Sequence, residues 1–158
     1  NFCGSDISVW DAAAKNGLSG VNVRQRPGYA QIGFVETQTV AQGSYTNNVG
    51  SLLTPAFGAS GTLKLSFDAM AYKNSSVHSN SGAKDLNGDI RKVIVEVIGG
   101  GTIEGQTRVV VGSPRYTVFT TYTLTIDDAT PSTALRFTSE PASGEFSRWF
   151  IDNICVTK

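Results

Sequence analysis

The sequence predicts an antiparallel β-sandwich, an all-β fold formed by a single domain of residues 1–158. Three observations favour it: one long segment alternates strictly in polarity, about eight strand-like segments are separated by turn residues, and only one short segment has helical character. With 40% hydrophobic residues, the chain can bury one sizeable core. Its 17 glycines and only 16% charged residues are typical of a turn-rich all-β protein rather than a disordered one.

The first segment with a clear preference is helical, at residues 8–17. Ser8 can cap it, Asp11 lies near its positive end, three alanines follow, and Gly17 can end it. We therefore expect one short N-terminal helix, about two turns long, with Trp10 turned inward. Short strands are predicted next, at residues 21–24, 29–35 and 51–54, with a polar loop at 36–48.

The strictly alternating segment, residues 61–72, is the strand around which the rest is organised. The odd-numbered residues from Leu63 to Ala71 are apolar, and the even-numbered residues from Lys64 to Tyr72 lie on the other side. Alternation over this length predicts a strand with one buried face. Polar residues 73–89 follow it, and irregular segments of that length in a compact domain are usually functional or disordered.

The remaining strands are predicted from β-branched and aromatic residues, which favour extended backbone. They lie at 92–98, 107–111, 115–126, 134–138 and 148–156, and a turn at Gly99-Gly-Gly101 ends the first of them. We expect both 61–72 and 148–156 to lie in the sandwich.

Charge and hydropathy exclude two classes of partner. Acidic and basic residues number 13 each, so no net charge attracts the chain to nucleic acid or anionic lipid. No apolar run approaches the roughly 20 residues that a membrane-spanning helix needs. We therefore expect no nucleic-acid partner and no membrane-spanning segment.

The two cysteines, Cys3 and Cys155, lie near the two ends of the sequence. With one histidine, His78, they exclude a four-cysteine zinc site. The first and last strands of a sheet protein are often neighbours, so a disulfide between the cysteines is one interpretation and two buried thiols are the other. If the chain is exported, we predict that Cys3 and Cys155 are bridged.

The order of six segments carries a family resemblance. The segments are residues 50–56, 63–69, 93–102, 122–126, 134–138 and 148–156, the last reading Arg148-Trp-Phe-Ile-Asp-Asn-Ile-Cys-Val156. Over roughly residues 20–157 the chain resembles jelly-roll domains from surface and secreted proteins of gut Bacteroidetes. These domains are of the galactose-binding-like type, which includes carbohydrate-binding modules and cleaved-adhesin domains.

The resemblance implies a two-sheet jelly roll, glycan binding, and a secreted, periplasmic or outer cell-surface location. It also implies a domain of a larger or lipid-anchored surface protein. In many related jelly rolls the closing strand supplies an aspartate to a structural calcium, which here is Asp152, with Asp6, Asp11 and Asp68 as candidate further ligands. The alternative is that Asp152 hydrogen-bonds loop backbone without a metal.

No catalytic set is found in the sequence, so we expect no enzyme. His78 has no nucleophile motif near it, and Glu96 has no second carboxylate on its face of the strand. Residues 85–96 lack the glycine at position six of an EF-hand loop.

Sugar binding needs exposed aromatic rings beside planar polar groups, and Tyr72, Tyr116 and Trp149 are the candidates. Packing in the core or at its rim is the alternative for each ring. Two functions follow: a non-catalytic carbohydrate-binding module, or a structural or adhesive β-sandwich module with no sugar ligand.

Overall fold

The computed structural model describes residues 2–4, 17–26, 28–37, 45–72, 92–112, 114–115, 118–140 and 147–158. This part of the chain forms thirteen strands and no helix. They are β1 (Phe2–Gly4), β2 (Ser19–Val21), β3 (Val23–Arg26), β4 (Tyr29–Ile32), β5 (Phe34–Thr37), β6 (Tyr45–Asn48), β7 (Ser51–Leu53), β8 (Gly61–Ala71), β9 (Val93–Ile98), β10 (Arg108–Gly112), β11 (Thr120–Ala129), β12 (Ala134–Ser139) and β13 (Trp149–Thr157).

The strands form two main antiparallel sheets. The first sheet has the order β11-β8-β13-β4-β3, and β1 also pairs with β13. The second sheet has the order β10-β9-β12-β7-β2, and β5 and β6 pair separately. The predicted all-β antiparallel sandwich is confirmed. The helix predicted at residues 8–16 lies outside the described residues. Among the described residues, no helix is long and apolar enough to cross a membrane.

The core lies between the two sheets and is organised as the alternation of β8 predicts. Phe67 on β8 contacts Phe137 on β12 edge to face, with ring centroids 5.0 Å apart, which joins the sheets. Full burial of one such side chain stabilises the fold by about 1.5–3 kcal/mol. The inward residues of β8 are all buried, and they are Leu63, Leu65, Phe67, Ala69 and Ala71.

The segment predicted as one strand at 29–35 is divided into β4 and β5. Gly33, which separates them, has a φ of +79°, in a region that side chains disfavour. A Cβ added there would lie 2.9 Å from the backbone oxygen of Ser147, too close for ordinary contact. The chain therefore leaves the first sheet at Gly33, and β5 pairs with β6 within the region expected to be a loop.

Trp149 does not have the position that sugar stacking requires. It opens β13 between Ala71 of β8 and Ile32 of β4, and its side chain is 0% exposed. It shares the inner face with Ile151, because these two residues are separated by two positions along the strand. The prediction of Trp149 as a ligand-binding residue is wrong, since a buried indole cannot contact a sugar.

Candidate functional site

The residues that lie between the core residues of the first sheet face away from the second sheet. We call this surface the outer face. The register places Phe150 of β13 between Met70 of β8 and Gln31 of β4, and Gln31 next to Arg24 of β3. Neighbouring strands lie roughly 4.8 Å apart, so side chains in one such row touch each other.

Four aromatic rings form a connected series on the outer face, which we call the aromatic row. Tyr72 lies 5.3 Å from Phe150, and Phe150 lies 4.9 Å from Tyr29, measured between ring centroids. Tyr29 in turn lies 5.6 Å from Phe119, with the rings edge to face. Phe150 is 9% exposed, whereas Tyr29, Tyr72 and Phe119 are half-buried and keep part of each ring accessible to solvent.

Phe119 joins the aromatic row although it immediately precedes β11, which lies three positions away from β4 in the sheet. The backbone N–H of Ala71 donates to the carbonyl of Arg115, and regular pairing with β8 resumes only at Thr120. The intervening segment contains Phe119, whose ring contacts Tyr29. This contact joins residues 90 positions apart in the sequence, a separation obtained as 119 minus 29.

An arginine lies at each end of the series Tyr72–Phe150–Tyr29. The guanidinium of Arg148 lies over the ring of Tyr72, 4.0 Å from its centroid. At the other end, Arg26 is the register partner of Tyr29. A guanidinium stacked on a ring keeps its N–H groups in the plane, where a ligand can accept from them.

Gln31 connects Arg26 to the sheet. Its side chain is 2% exposed, and its Nε2 donates to the carbonyl of Gly33 at 2.8 Å. Its Oε1 accepts from both Nε and Nη2 of Arg26, at 2.9 and 2.6 Å. Arg26 is thus held in one orientation by a buried amide. The neighbouring Arg24 lies with its guanidinium 4.2 Å from the centroid of the Phe34 ring.

Two carboxylates, Asp68 and Asp152, lie opposite each other on β8 and β13. Asp68 accepts from the hydroxyl of Thr121 at 2.5 Å and from the side-chain amide of Asn153 at 2.7 Å. Asp152 accepts from the backbone N–H of Asn153 at 2.8 Å. Asn153 has a φ of +50° and lies in the irregularity of β13 between Asp152 and Cys155. This irregularity therefore brings amide donors to both carboxylates.

A calcium ion needs six to eight oxygen ligands, and this pair of carboxylates supplies only some of them. Within the described ranges, no group of three or more histidine, cysteine, aspartate or glutamate residues is close enough to hold a metal. Asp6 and Asp11, the other candidate ligands, lie outside those ranges. Calcium at Asp152 stays a prediction.

Cys3 and Cys155 lie directly opposite each other in the pairing of β1 with β13. Cys155 is disulfide-bonded, and Cys3 is the other cysteine of the chain. Strand β13 has β8 along one side. Along its other side it pairs with β4 before the irregularity and with β1 after it.

The second sheet places its charged residues on its own exposed surface, where they form ion pairs. Glu96 lies 3.1 Å from Nη1 of Arg136 and 3.5 Å from Nε of Arg108. Arg108 also lies 3.1 Å from Glu140. Glu96, which the sequence offered as a lone carboxylate, is thus engaged by two arginines.

Of the three rings predicted to bind sugar, the structure places Tyr72 in the aromatic row and Trp149 in the core, and Tyr116 lies outside the described residues. Sequence reasoning missed Tyr29 and Phe150. A signal for Phe150 was available: Trp149, Phe150 and Ile151 are consecutive, so at least one of them had to face outward.

No protein-family model matches the chain, and no curated protein sequence matches it. Solved structures with a similar fold include the N-terminal cellulose-binding domain of Cellulomonas fimi β-1,4-glucanase C, at 12% identity over 89% of this chain and 88% of that chain, with a TM-score of 0.46. A second is TmCBM61 in complex with β-1,4-galactotriose, at 10% identity over 91% and 83% of the two chains and a TM-score of 0.43. A third is a mutant of the family 29 carbohydrate-binding module CBM29-2 complexed with mannohexaose, at 20% identity over 89% and 80% and a TM-score of 0.41. The fold of this chain is established by its own strand pairing.

Proposed function

We propose that the outer face of the first sheet binds a glycan and that the domain does not cleave it. The observation that carries the proposal is the aromatic row, in which partly exposed rings lie beside arginine and glutamine side chains. A sugar ring offers an apolar C–H face to an aromatic ring and hydroxyl groups to planar polar groups at its edge. The aromatic row supplies the first kind of group, and Arg148 and Arg26, the latter held by the buried Gln31, supply the second.

The hydrogen bonds of the two carboxylates on this face support the proposal of binding without cleavage. Glycosidases of the usual kind need one carboxylic acid that gives a proton to the leaving oxygen and a second carboxylate that acts opposite it. Asp68 accepts hydrogen bonds on both of its oxygens, and Asp152 accepts one from Asn153. Both carboxylates thus hold donors of the protein itself, and we propose that their role on this face is structural.

We expect weak affinity, because sugar hydroxyls give up hydrogen bonds to water before they form new ones with the protein. Dissociation constants on the order of micromolar to millimolar, or about −8 to −4 kcal/mol, are the expected range. Tyr116, which is close in sequence to Phe119, is proposed as a further ligand-binding residue.

We further propose that the domain belongs to a secreted, periplasmic or outer-surface protein, as a module of a larger or lipid-anchored chain. Two observations support the location. The sequence resembles jelly-roll domains of Bacteroidetes surface proteins, and Cys155 is disulfide-bonded. Disulfides persist mainly in oxidising compartments outside the cytosol.

The test is a screen of host and plant glycans, followed by calorimetry with two variants. Tyr29→Ala removes the ring that contacts both Phe150 and Phe119, and it should weaken binding at least tenfold. Tyr122→Ala is the matched control, because Tyr122 stacks on Phe67 toward the core, 5.4 Å from it. The control should lower the melting temperature and leave the affinity of the remaining folded protein unchanged.

Three results would contradict the proposal. The first is a complete absence of signal across the glycans, which would favour the structural or adhesive module. The second is equal loss of affinity in both variants, which would mean that the aromatic row has no special role. Release of reducing sugar from a bound glycan would show that the domain is catalytic after all.

A further inference from the structure

We infer that the glycan is acidic, carrying a carboxylate or a sulfate ester that the arginine edge of the outer face binds. This inference rests on the proposed function and names the class of ligand for the same site. The arginine edge consists of Arg24 and Arg26 on β3, the last strand of the first sheet in the order given above.

The first step concerns how the two arginines are held. Arg26 is fixed by two hydrogen bonds to the buried Gln31, and Arg24 is stacked on the ring of Phe34. Each contact orients a guanidinium without neutralising it, since an amide and a phenyl ring carry no charge. Of the five N–H groups of Arg26, Gln31 takes two and leaves three to bind a ligand. Less side-chain freedom is therefore lost when an anion binds.

The second step concerns where the negative charges are. In the part of the chain that the structure describes, three ion pairs lie on or beside the second sheet, where Arg108 and Arg136 contact Glu96 and Glu140. Arg24 and Arg26 have no carboxylate partner in that part of the chain. The contrast is informative because the chain has equal numbers of acidic and basic residues, 13 of each. Within the described residues, Arg24 and Arg26 thus place two positive charges without carboxylate partners at one edge of the sheet.

The third step concerns the carboxylates on the same face. Asp152 lies on β13 and Asp68 on β8, two and three strands from β3. At about 4.8 Å per strand, the separations are roughly 10 and 14 Å. Exposed charges at such distances are largely screened at physiological salt. Among the side chains that the structure describes, an anion bound at the arginine edge therefore meets two cations nearby and only distant carboxylates.

The fourth step combines charge and stacking. Arg26 is the register partner of Tyr29, and Tyr29 is in contact with Phe150. A sugar stacked on Tyr29 thus has its edge within reach of the arginine edge. Guanidinium groups bind carboxylates and sulfate-like groups through paired, charge-assisted hydrogen bonds. Neutral sugars offer no group that uses these two charges.

The experiment compares polysaccharides that differ only in charge. Polygalacturonate is compared with fully methyl-esterified homogalacturonan, and dextran sulfate with dextran, by calorimetry or affinity electrophoresis. We expect at least one acidic member to bind at least tenfold more tightly than its neutral counterpart, with affinity falling as salt rises. The first pair reports on a carboxylate and the second on a sulfate ester.

Variants separate the edge from the general charge of the surface. Arg24→Gln should reduce affinity for the acidic ligand about tenfold. Arg26→Lys should reduce it several-fold, because the lysine keeps a donor for Gln31 but loses the planar guanidinium that forms paired hydrogen bonds with an anion. Arg108→Gln, an equally exposed arginine on the second sheet, should leave the affinity unchanged.

The outcomes distinguish this inference from the proposed function. If neutral oligosaccharides bind with dependence on Tyr29 and the acidic members bind no better, the function stands and the acidic ligand is wrong. If no member of either kind binds, both are wrong. Acidic ligands whose affinity falls as much in Arg108→Gln as in Arg24→Gln would show attraction by surface charge alone and would overturn the inference.

Discussion

Replacement of Tyr72 by alanine tests both the aromatic row and the place of this ring in it. The ring contacts Phe150 at 5.3 Å between centroids and carries the guanidinium of Arg148 at 4.0 Å. An aromatic pair is worth about 0.5–1.5 kcal/mol, and a partly exposed cation–π contact about 0.5–1 kcal/mol. Together they predict that Tyr72→Ala lowers the free energy of unfolding by roughly 1–2.5 kcal/mol.

This magnitude exceeds that of a fully exposed ring, whose removal would leave the melting temperature nearly unchanged. The two contacts of Tyr72 instead predict a fall of roughly 2–10 °C for a domain of this size. Affinity for the cognate glycan should fall at least tenfold, because the ring is one end of the stacking surface.

The assay is thermal melting together with calorimetry on the wild type, Tyr72→Ala and Tyr72→Phe. The phenylalanine variant keeps the ring and both contacts, so its melting temperature and affinity should stay near the wild-type values. A fall well beyond 10 °C would place Tyr72 in the core. Unchanged affinity in a folded Tyr72→Ala would refute its role in binding.

Three further predictions concern stability. We expect Cys3 and Cys155 to be bridged, so the intact mass after unfolding and alkylation without reductant should show no modified thiol. Breaking the bridge should lower the free energy of unfolding by about 5 kcal/mol in the chain-entropy model. Two modified thiols in the unreduced protein would refute the bridge. Burial raises the pKa of the Tyr122 hydroxyl in the folded state. The contribution of this residue to the free energy of unfolding is therefore fully present below about pH 10, the unfolded pKa, and is lost as the pH rises through the folded value. Tyr122→Phe should therefore gain stability relative to the wild type between pH 9 and pH 11 in urea unfolding, and a constant difference would contradict the direction of the shift. If calcium binds at Asp152, a hundredfold excess of calcium over the dissociation constant should raise the free energy of unfolding by about 2.7 kcal/mol and so raise the melting temperature relative to EDTA. Asp152→Asn should abolish this difference. Equal melting temperatures with and without calcium would contradict a calcium site.

The architecture was predictable from the sequence where a strand has one buried and one exposed face. In β8 the alternation alone identifies which residues enter the core, because its outer face carries Lys64, Ser66 and Asp68. In β13 the same rule fails, since Trp149, Phe150 and Ile151 are all buried and hydropathy cannot tell inner from outer. The face of each is decided by the register with β4 and β8.

The site was less predictable, because its contacts join distant parts of the sequence. Tyr72 could be named from its position at the end of β8. Tyr29 and Phe119 could not be paired, because Phe119 lies just before β11, outside the regular pairing of that strand with β8, so no register predicts its contact. The orientation of Arg26 likewise depends on Gln31, whose burial no local pattern indicates.

The position of β13 in the first sheet has a consequence for how the domain folds. This strand pairs with β8 on one side and with β4 and β1 on the other, so without it the sheet separates into β11-β8 and β4-β3. Its partners lie far earlier in the sequence, as in the pairs of Trp149 with Ile32 and of Cys155 with Cys3. Contacts of such high sequence separation slow folding, because the entropy of closing a large loop is lost before the contacts can stabilise the sheet. During synthesis or export the earlier strands therefore have unpaired edges until β13 docks, and its docking is the step that joins the separate strand pairs into one cooperative unit.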